Sequence, residues 1–381
     1  MSVEAYDPIA NPYAPGAGTP PPELVGRDQI IEEAEIAMRR VVSARTSQHQ
    51  LITGLRGVGK TVLLGKLTAL AEHIGFRVIR VEAVGGDDTL SSLLRQSRRV
   101  VEDLDRSAAR ALRSIESVSL TVAGTGVSVG RFETTPDREA LADVVVEVAR
   151  VAAANEAGVM LAVDEAQMVD RHDLRRILAG VHRCNQDGLP LFAALAGLPN
   201  LVGVVASAST YAERMFRVTD LGPLRPDQVT QAIVRPAEEL GVSWSPEATE
   251  AIVDHSDGYP FFVQTWAYHT WNAAHDEPIS IADVDRAAVH ASQALDSSFF
   301  AARTARIPAS EISYVQALAS LGPGPHRSGD VAAAAEKTTS QVAAFRDRLI
   351  REGLIYSPRY GWVEFAIPHF DEYARRALPG I

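Results

Sequence analysis

The chain has very little cysteine. Cys184 is the only one among 381 residues, which excludes a disulfide within the chain. A single thiol, on a helical pattern near His182, is also too solitary for a metal centre or a nucleophile, and we expect it to be structural. A chain without disulfides is typical of the reducing cytosol, so we expect a cytoplasmic location.

Long hydrophobic runs are lacking as well. The first 22 residues are polar and rich in proline, without the apolar core of a signal peptide. The longest apolar stretch, 189–206, is near the length of a membrane span, but Pro190, Pro199 and Gly203 interrupt it. It predicts a buried strand followed by the start of a helix. We therefore expect a soluble protein with no membrane partner.

An excess of positive charge is the third absence. The chain has 37 Lys and Arg against 48 Asp and Glu, a net charge of −11. This excludes general coating of nucleic acid as the main role but leaves room for one local DNA-binding face. The hydrophobic content of 46% indicates a globular protein, and the length indicates two or three domains.

Residues 54–61 match the phosphate-binding P-loop pattern G-x-x-x-x-G-K-[ST] at every fixed position. A strand pattern at 49–53 precedes them and a helical pattern at 62–73 follows, which disfavours a chance Gly-rich turn. Backbone N–H groups of such a loop surround phosphate oxygens, and the following helix adds its positive end. We predict that ATP or ADP is bound here with Mg²⁺, by Gly54, Leu55, Arg56, Gly57, Val58, Gly59, Lys60, Thr61 and Val62. Lys60 serves the β- and γ-phosphates, and Thr61 offers its hydroxyl to the metal.

Two carboxylates follow the apolar run 159–163, which predicts a strand buried on both faces, as in a parallel sheet. Asp164 and Glu165 stand at its carboxyl end, where ligands bind in open α/β sheets. We predict that Asp164 holds Mg²⁺ through water and that Glu165 polarises the attacking water. Ordinary surface acids are the alternative, which the P-loop upstream disfavours.

The pattern of elements predicts an α/β protein built on a P-loop parallel sheet. Residues 87–115 predict a helix or helix pair, and 117–132 a β-hairpin inserted in the core. We divide the chain into an extended Pro-rich arm (1–22), an ATPase core (23–222), a helical lid (223–303) and a winged helix-turn-helix (304–381). The arm is either a disordered tail or a segment anchored by Tyr6 and Tyr13.

These features together resemble the AAA+ and STAND ATPases, in particular the archaeal-type and origin-initiator ATPases, over roughly residues 20–300 and the winged-helix tail. Gly258, Tyr259 and Pro260 resemble the G-x-P motif, which in that family lies against the nucleotide. Val25, Gly26 and Arg27 are similar to the family's N-terminal segment that lines the adenine pocket. The resemblance therefore implies that both segments contact the nucleotide.

Two positions depart from the family pattern. The polar sensor expected after the fourth strand is replaced by apolar residues, and Asn200 is the nearest polar candidate. The family's trans-acting arginine falls in the region of Arg214 and Arg217. We place Arg214 in the catalytic set, with Arg217 left open beside it. Arg235 either faces the γ-phosphate or pairs with Glu238 or Glu239, and we favour the ion pair.

The tail, 304–381, has nine Lys and Arg against eight Asp and Glu, so it is far less acidic than the rest. Residues 339–352 predict a recognition helix with Arg346, Arg348 and Arg351 among its polar positions. The near-neutral charge weakens the case for DNA, because phosphate neutralisation dominates affinity. Double-stranded DNA and an unidentified protein both remain as partners.

We therefore expect an oligomeric ATPase that changes conformation or assembly with bound nucleotide and acts on DNA through its tail. Two alternatives stay open. One is a slow, nucleotide-held signalling switch whose tail contacts protein, and the other is a nucleotide-sensing transcription regulator.

Overall fold

The computed structural model describes residues 7–16, 21, 23–84, 87–105, 112–113, 140–305 and 307–378. The predicted hairpin at 117–132 and Tyr6 lie outside the described residues. The chain divides into two compact units. We call residues 1–28, 54–62 and 221–381 the lid unit, and residues 29–53 and 63–220 the sheet unit. The proposed division into four domains stays a prediction.

The sheet unit contains a parallel sheet of five strands in the order β2-β3-β4-β1-β5, as far as the described residues go. The strands are β1 (His49–Thr53), β2 (Phe76–Glu82), β3 (Gly158–Asp164), β4 (Leu191–Gly197) and β5 (Phe216–Asp220). Every residue of β1, β3 and β4 is buried, whereas the edge strands β2 and β5 are partly exposed. Such apolar central strands need cover on both faces, so the predicted parallel α/β core is confirmed.

Helices supply that cover, and all but the first two contribute buried apolar side chains to the core of the sheet unit. They are α1 (Asp28–Val42), α2 (Lys60–His73), α3 (Asp87–Leu104), α4 (Ala140–Ala154), α5 (Arg171–Gln186), α6 (Leu201–Ala208) and the single turn α7 (Ala212–Met215). A 3₁₀ turn, Ala166–Met168, follows β3. Because all five strands are parallel, their carboxyl ends share one edge of the sheet. The P-loop follows β1 at that edge, and Asp164 ends β3 there.

The lid unit is mainly helical, as the sequence predicts for the region after residue 223. Its helices are α8 (Pro226–Glu238), α9 (Pro246–Ser256), α10 (Pro260–Ala273) and α11 (Ile281–Ala294), followed by a π-helical segment (Leu295–Ala301) and α12 (Ala302–Thr304). Proline begins α8, α9 and α10, where its missing N–H has no helical partner to lose. A single apolar core joins these helices to the C-terminal region.

The C-terminal region of the lid unit has the predicted order of three helices and two strands, with two additions. Its elements are α13 (Ala309–Ser320), β6 (His326–Arg327), α14 (Ser328–Ala334), α15 (Thr339–Arg351), β7 (Ile355–Tyr356), β8 (Trp362–Phe365) and α16 (Phe370–Ala377). The additions are β6, which pairs with β8 to make a three-stranded antiparallel sheet, and α16. The predicted recognition helix corresponds to α15, which Thr338 caps by accepting the Gln341 N–H.

The described part of the N-terminal arm lies along the lid helices. Tyr13 is 2% exposed and its hydroxyl donates to the Ile233 carbonyl. Its ring meets Trp244 and Trp271 edge-on, at centroid distances of 6.0 and 6.1 Å. Of the two interpretations, residues 7–16 thus favour the anchored segment. None of the described helices has the length and apolar character that a membrane crossing requires.

Candidate functional site

The P-loop occupies the turn between β1 and α2, and its backbone suits an anion. Gly57 and Gly59 have φ values of 84° and 92°, in the left-handed region that residues other than glycine rarely adopt. No heavy atom lies within 4 Å of the position that a Cβ would take at Gly59. The backbone can therefore approach a ligand closely there, and α2 begins immediately afterwards at Lys60.

The Lys60 side chain is folded back onto its own loop. Its ammonium group donates to the Gly54 and Leu55 carbonyls, both at 2.9 Å, and the residue is 6% exposed. Thr61, one residue later, is exposed. A flexible cation held over the loop and an accessible hydroxyl are the two side chains that phosphate and Mg²⁺ require.

The segment Val25, Gly26 and Arg27 lies against the P-loop within the lid unit. Arg27 is 9% exposed, and its guanidinium donates to the carbonyls of Val58 and Gly222, at 3.4 and 3.0 Å. Burial lowers the pKa of Arg27 below its usual value. This buried cation adds positive charge behind the phosphate-binding loop.

The G-x-P segment also reaches the P-loop. Gly258 has φ 72°, and a Cβ there would lie 2.2 Å from the Leu224 carbonyl oxygen. Pro260 starts α10, and the next N–H, that of Phe261, donates to the Gly57 carbonyl at 3.3 Å. Phe261 stacks on Phe299 with centroids 4.6 Å apart. The sequence alone does not single out these two rings, because apolar residues on lid helices are indistinguishable from ordinary core residues.

Arg56 joins the P-loop to the C-terminal region of the same unit. Its backbone N–H donates to the Ala366 carbonyl at 3.0 Å, and its side-chain Nε donates to the Gly353 carbonyl at 2.9 Å. Gly353 has φ 66°, and a Cβ there would lie 2.2 Å from Arg56 Nη2. Arg56 stands at a variable position of the P-loop motif, yet it makes specific contacts with the C-terminal region.

The acidic pair lies in the sheet unit. Asp164 is 6% exposed and accepts the Glu165 N–H at 2.9 Å. Glu165 has φ 49°, an uncommon conformation for a non-glycine residue. Its Oε2 accepts from Gln167 Nε2 at 2.5 Å, and Gln167 Oε1 accepts the Leu198 N–H at 3.1 Å. Gln167 therefore links Glu165 to the end of β4, a role that its position two residues after Glu165 does not reveal.

Comparison with known proteins decides the class. The AAA ATPase domain family matches residues 23–202, and residues 297–374 match a domain of unknown function, DUF8462. Residues 23–202 form an AAA ATPase domain. The matched segment contains the P-loop and the acidic pair, so the predicted ATPase is confirmed for this part of the chain. No curated protein sequence matches the chain.

Solved structures similar to this ATPase include a Walker-type ATPase of Pyrococcus abyssi, with a TM-score of 0.56 and 14% identity over 94% of this chain and 97% of that one. Cdc6p of Pyrobaculum aerophilum has a TM-score of 0.49 and 15% identity, over 94% and 95%. Orc1 of Aeropyrum pernix, solved in complex with DNA, has a TM-score of 0.46 and 16% identity, over 93% of each. At 14% identity, the similarity to the Pyrococcus abyssi ATPase establishes the fold and not a shared function.

The arginines of the ATPase have different surroundings. Arg217, on β5, forms an ion pair with Glu33 at 2.7 Å. Arg214, in α7, is exposed, and no ion pair to it is found among the described residues. Arg235 pairs with Glu23 at 3.2 Å, so the expectation of Glu238 or Glu239 as its partner is wrong. The helical spacing predicted a neighbour within α8, but the N-terminal segment supplies a nearer carboxylate.

The predicted sensor position is also occupied by a polar residue in an unusual setting. Asn200 precedes α6, and its Oδ1 is buried without a hydrogen-bond partner among the described residues. Burying an amide oxygen without a hydrogen bond costs free energy, and the Asn200 side chain is therefore a candidate contact for a bound group.

The residues present fit a Mg²⁺-nucleotide. In the lid unit, the glycine-lined turn and Lys60 suit the phosphates, and the Thr61 hydroxyl suits Mg²⁺. In the sheet unit, the Asp164 carboxylate is likewise the kind of oxygen ligand that Mg²⁺ prefers. In the described part of the chain, no group of three or more His, Cys, Asp or Glu residues is arranged to hold a metal on its own.

Proposed function

We propose that this protein is a Mg²⁺-dependent, ATP-hydrolysing switch of AAA+/STAND type. Bound nucleotide changes how its C-terminal region contacts the P-loop, and the C-terminal region then acts on double-stranded DNA. The single observation that carries the proposal is the contact of Arg56 with Gly353 and Ala366. A phosphate-binding loop that hydrogen-bonds an output region can transmit its state to that region directly.

A second link runs through the lid. His369, at the start of α16, has its Nε2 3.1 Å from Asp257 Oδ2, and its ring meets Tyr259 edge-on at 6.2 Å. Asp257 and Tyr259 flank Gly258 in the G-x-P segment, whose neighbour Phe261 contacts Gly57. A change at the P-loop therefore has two routes to the C-terminal region, one through Arg56 and one through the G-x-P segment.

For hydrolysis, the Mg²⁺-nucleotide supplies the reactive γ-phosphoryl group and a cation that neutralises charge developing on it. Lys60 and Thr61 would hold the phosphates and the metal, and Asp164 would contact the metal through water. Glu165 accepts a proton from the attacking water, while Gln167 holds the Glu165 carboxylate in place. Arg214 acts across the interface of an oligomer, since its guanidinium is exposed whereas Arg217 is paired with Glu33.

DNA binding is supported by the loop between β7 and β8, which corresponds to the wing of a winged helix. Arg359 and Arg327 both lie over the Trp362 ring, at 3.9 and 5.6 Å from its centroid. Tyr360, which follows Arg359 in the chain, is fully exposed. Cations held over an aromatic ring beside an exposed tyrosine form a surface suited to phosphate and minor-groove contacts.

A different observation favours the second candidate, a slow switch whose output is a protein contact. On α15, Arg346 pairs with Asp347 at 2.9 Å, and Arg348 pairs with Glu352 at 3.0 Å. Arginines engaged by neighbouring carboxylates are less available to bases and phosphates. If α15 does not read DNA, its exposed face is left for a protein.

The test is ATP turnover at rising protein concentration, with and without double-stranded DNA. Specific activity that rises with concentration and again with DNA is the expected result. Glu165→Gln should abolish turnover while nucleotide still binds, and turnover at the wild-type level would remove Glu165 from the mechanism. A rate that is low, flat and indifferent to DNA would replace the DNA proposal with the second candidate. Arg359→Ala, with the exposed Arg225→Ala as control, tests the wing by DNA-binding anisotropy.

The link itself is tested with Arg56→Ala. Loss of the Nε hydrogen bond to Gly353 should cost about 1.5 kcal/mol, the low end for hydrogen bonds with charged groups. This corresponds to a change of roughly tenfold in the equilibrium between the P-loop in contact with the C-terminal region and the P-loop released from it. We expect release of a fluorescent ADP analogue to quicken by about this factor in stopped-flow measurements. Arg225→Ala should leave release unchanged. Equal release from all three proteins would refute the link.

A further inference from the structure

A cavity of about 720 Å³ opens in the sheet unit at the amino-terminal ends of β1 and β5. The P-loop follows the carboxyl end of β1, so the cavity adjoins the opposite end of that strand. Its volume falls within the range of about 300–1,000 Å³ typical of small-molecule sites. Three parts of the chain line it: the segment from α1 to β1, the helix α5, and the segment 211–215.

The charged side chains that line the cavity are both cationic. They are Arg40 and Arg214, and within the part of the chain that the structure describes no carboxylate lines the cavity. This matters because the chain as a whole has a net charge of −11. Two guanidinium groups without an acidic neighbour in the wall favour an anion, and their planar donors match phosphate oxygens well.

The wall is ordered by hydrogen bonds and stacking. Arg40 Nη2 donates to the Thr46 carbonyl at 3.2 Å, and Gln48 Nε2 donates to the Arg214 carbonyl at 3.3 Å. His182 and Tyr211 stack with centroids 4.2 Å apart and planes 18° from parallel. Groups that are already held in place lose little freedom when a ligand binds, so these contacts favour binding at the wall.

Asn185 supplies a further donor. Its amide meets His49 Nε2 at 3.1 Å, and His49 Nδ1 accepts the Ala193 N–H at 3.2 Å. Complete burial lowers the pKa of His49 to about 4, so the ring is neutral near pH 7. A neutral imidazole whose Nδ1 accepts a hydrogen bond carries its proton on Nε2. With Nε2 as the donor, the amide oxygen of Asn185 must face it, which is the amide rotated by 180° from the orientation that puts Nδ2 at 3.1 Å, and the NH₂ group then lies on the side away from His49.

We propose that this cavity binds a free, phosphate-bearing small molecule of nucleotide size, as a second site in addition to the P-loop. Arg40 and Arg214 take the phosphate, the Asn185 amide donates to it, and the His182–Tyr211 pair forms an aromatic wall. The proposal does not depend on ATP hydrolysis. In this site Arg214 acts within its own chain, whereas as a trans-acting arginine it would act on the nucleotide of a second copy.

Met215 lines the cavity and provides a reporter. The full-length chain is labelled with ¹³C at its methionine methyl groups, Met215 is assigned with Met215→Leu, and ADP, pyrophosphate and inorganic phosphate are titrated separately. We expect a saturable shift of the Met215 signal with at least one of these probes, both in the wild-type chain and in Lys60→Ala. The fully buried Met38 and Met160 should not shift in Lys60→Ala.

Arg40→Gln combined with Arg214→Gln should weaken this binding about tenfold or more, whereas Arg77→Gln, which removes an exposed arginine from β2, should not. Absence of a Met215 shift with all three probes at millimolar concentration would overturn the proposal. A Met215 shift that disappears when the protein is diluted at constant probe concentration would also overturn it. Such a shift would depend on contact with a second copy of the chain and not on the cavity of a single copy. Loss of the shift in Lys60→Ala alone would assign it to the P-loop and would also refute a second site.

Discussion

Replacing Gln167 with leucine would remove both hydrogen bonds that connect Glu165 to the end of β4. Glu165 Oε2 would lose the 2.5 Å contact with Nε2, and the Leu198 N–H would lose its 3.1 Å acceptor. Leucine has a similar size, so the space stays filled. A side chain at Gly197 would lie 2.1 Å from Gln167 Oε1, which indicates how closely the amide is held against β4.

The magnitude follows from the hydrogen bond to a charged group. Such a bond contributes about 1.5–3 kcal/mol, and each 1.36 kcal/mol is tenfold in rate. If Glu165 activates water, kcat should fall by roughly 10–100-fold. KM for ATP should stay within about twofold, because the phosphate-binding residues are unchanged. Steady-state turnover measures both, and circular dichroism checks that the variant is folded.

Two further variants separate positioning from general damage. Gln186→Leu removes an exposed glutamine from α5 and should leave kcat unchanged. Gln167→Glu places a second carboxylate beside Glu165, which raises the pKa of the pair because both cannot ionise easily at this distance. The acidic limb of the pH–rate profile should then move to higher pH. Wild-type kcat in folded Gln167→Leu, with an unshifted profile in Gln167→Glu, would refute the reasoning.

The remaining predictions concern stability. Gly258 and Gly241 have similar φ values, 72° and 76°, but only at Gly258 would a Cβ clash, 2.2 Å from the Leu224 carbonyl. Gly241→Ala should lower the free energy of unfolding by about 1–2 kcal/mol through backbone strain alone. Gly258→Ala should lower it by about 1–3 kcal/mol more, because the Cβ also clashes. Urea unfolding measures both, and equal losses would contradict the clash. His49 has a pKa lowered by burial from 6.5 to about 4. Its contribution to stability is therefore complete above pH 6.5 and is lost as the pH falls towards 4, by roughly 3 kcal/mol in total. His49→Gln should lose that part of the pH dependence, and a variant with an unchanged pH profile of unfolding would show that His49 is not its source.

Much of the fold could be predicted because it depends on local pattern. The bounds of β1 agree with the prediction, and those of β3 and α15 differ by a residue at most. Buried parallel strands need continuous apolar runs, and lid helices need a 3.6-residue period, so both appear in short windows of sequence. The P-loop was found for the same reason, since its chemistry needs fixed residues at fixed spacing.

The contacts that distinguish this chain were not predictable in that way. Arg56 and Gly353 are separated by 297 positions, and no short pattern links them. Arg235 was assigned a partner on its own helix and has Glu23 instead. Gln167 stands two positions after Glu165, and nothing in that spacing indicates that the Leu198 N–H lies beside its side chain.

The sequence by itself determined the class of protein: the P-loop, the strand ending in Asp164 and Glu165, and the order of helices and strands all follow from local spacing and periodicity. Only the tertiary structure decided which groups meet, namely Arg56 with the C-terminal region and Gln167 with Glu165, and which residues line one cavity, among them Arg40 and Arg214. The physical reason is that hydrogen bonds and charge pairs depend on distances of about 3 Å between residues far apart in the chain, and packing sets those distances.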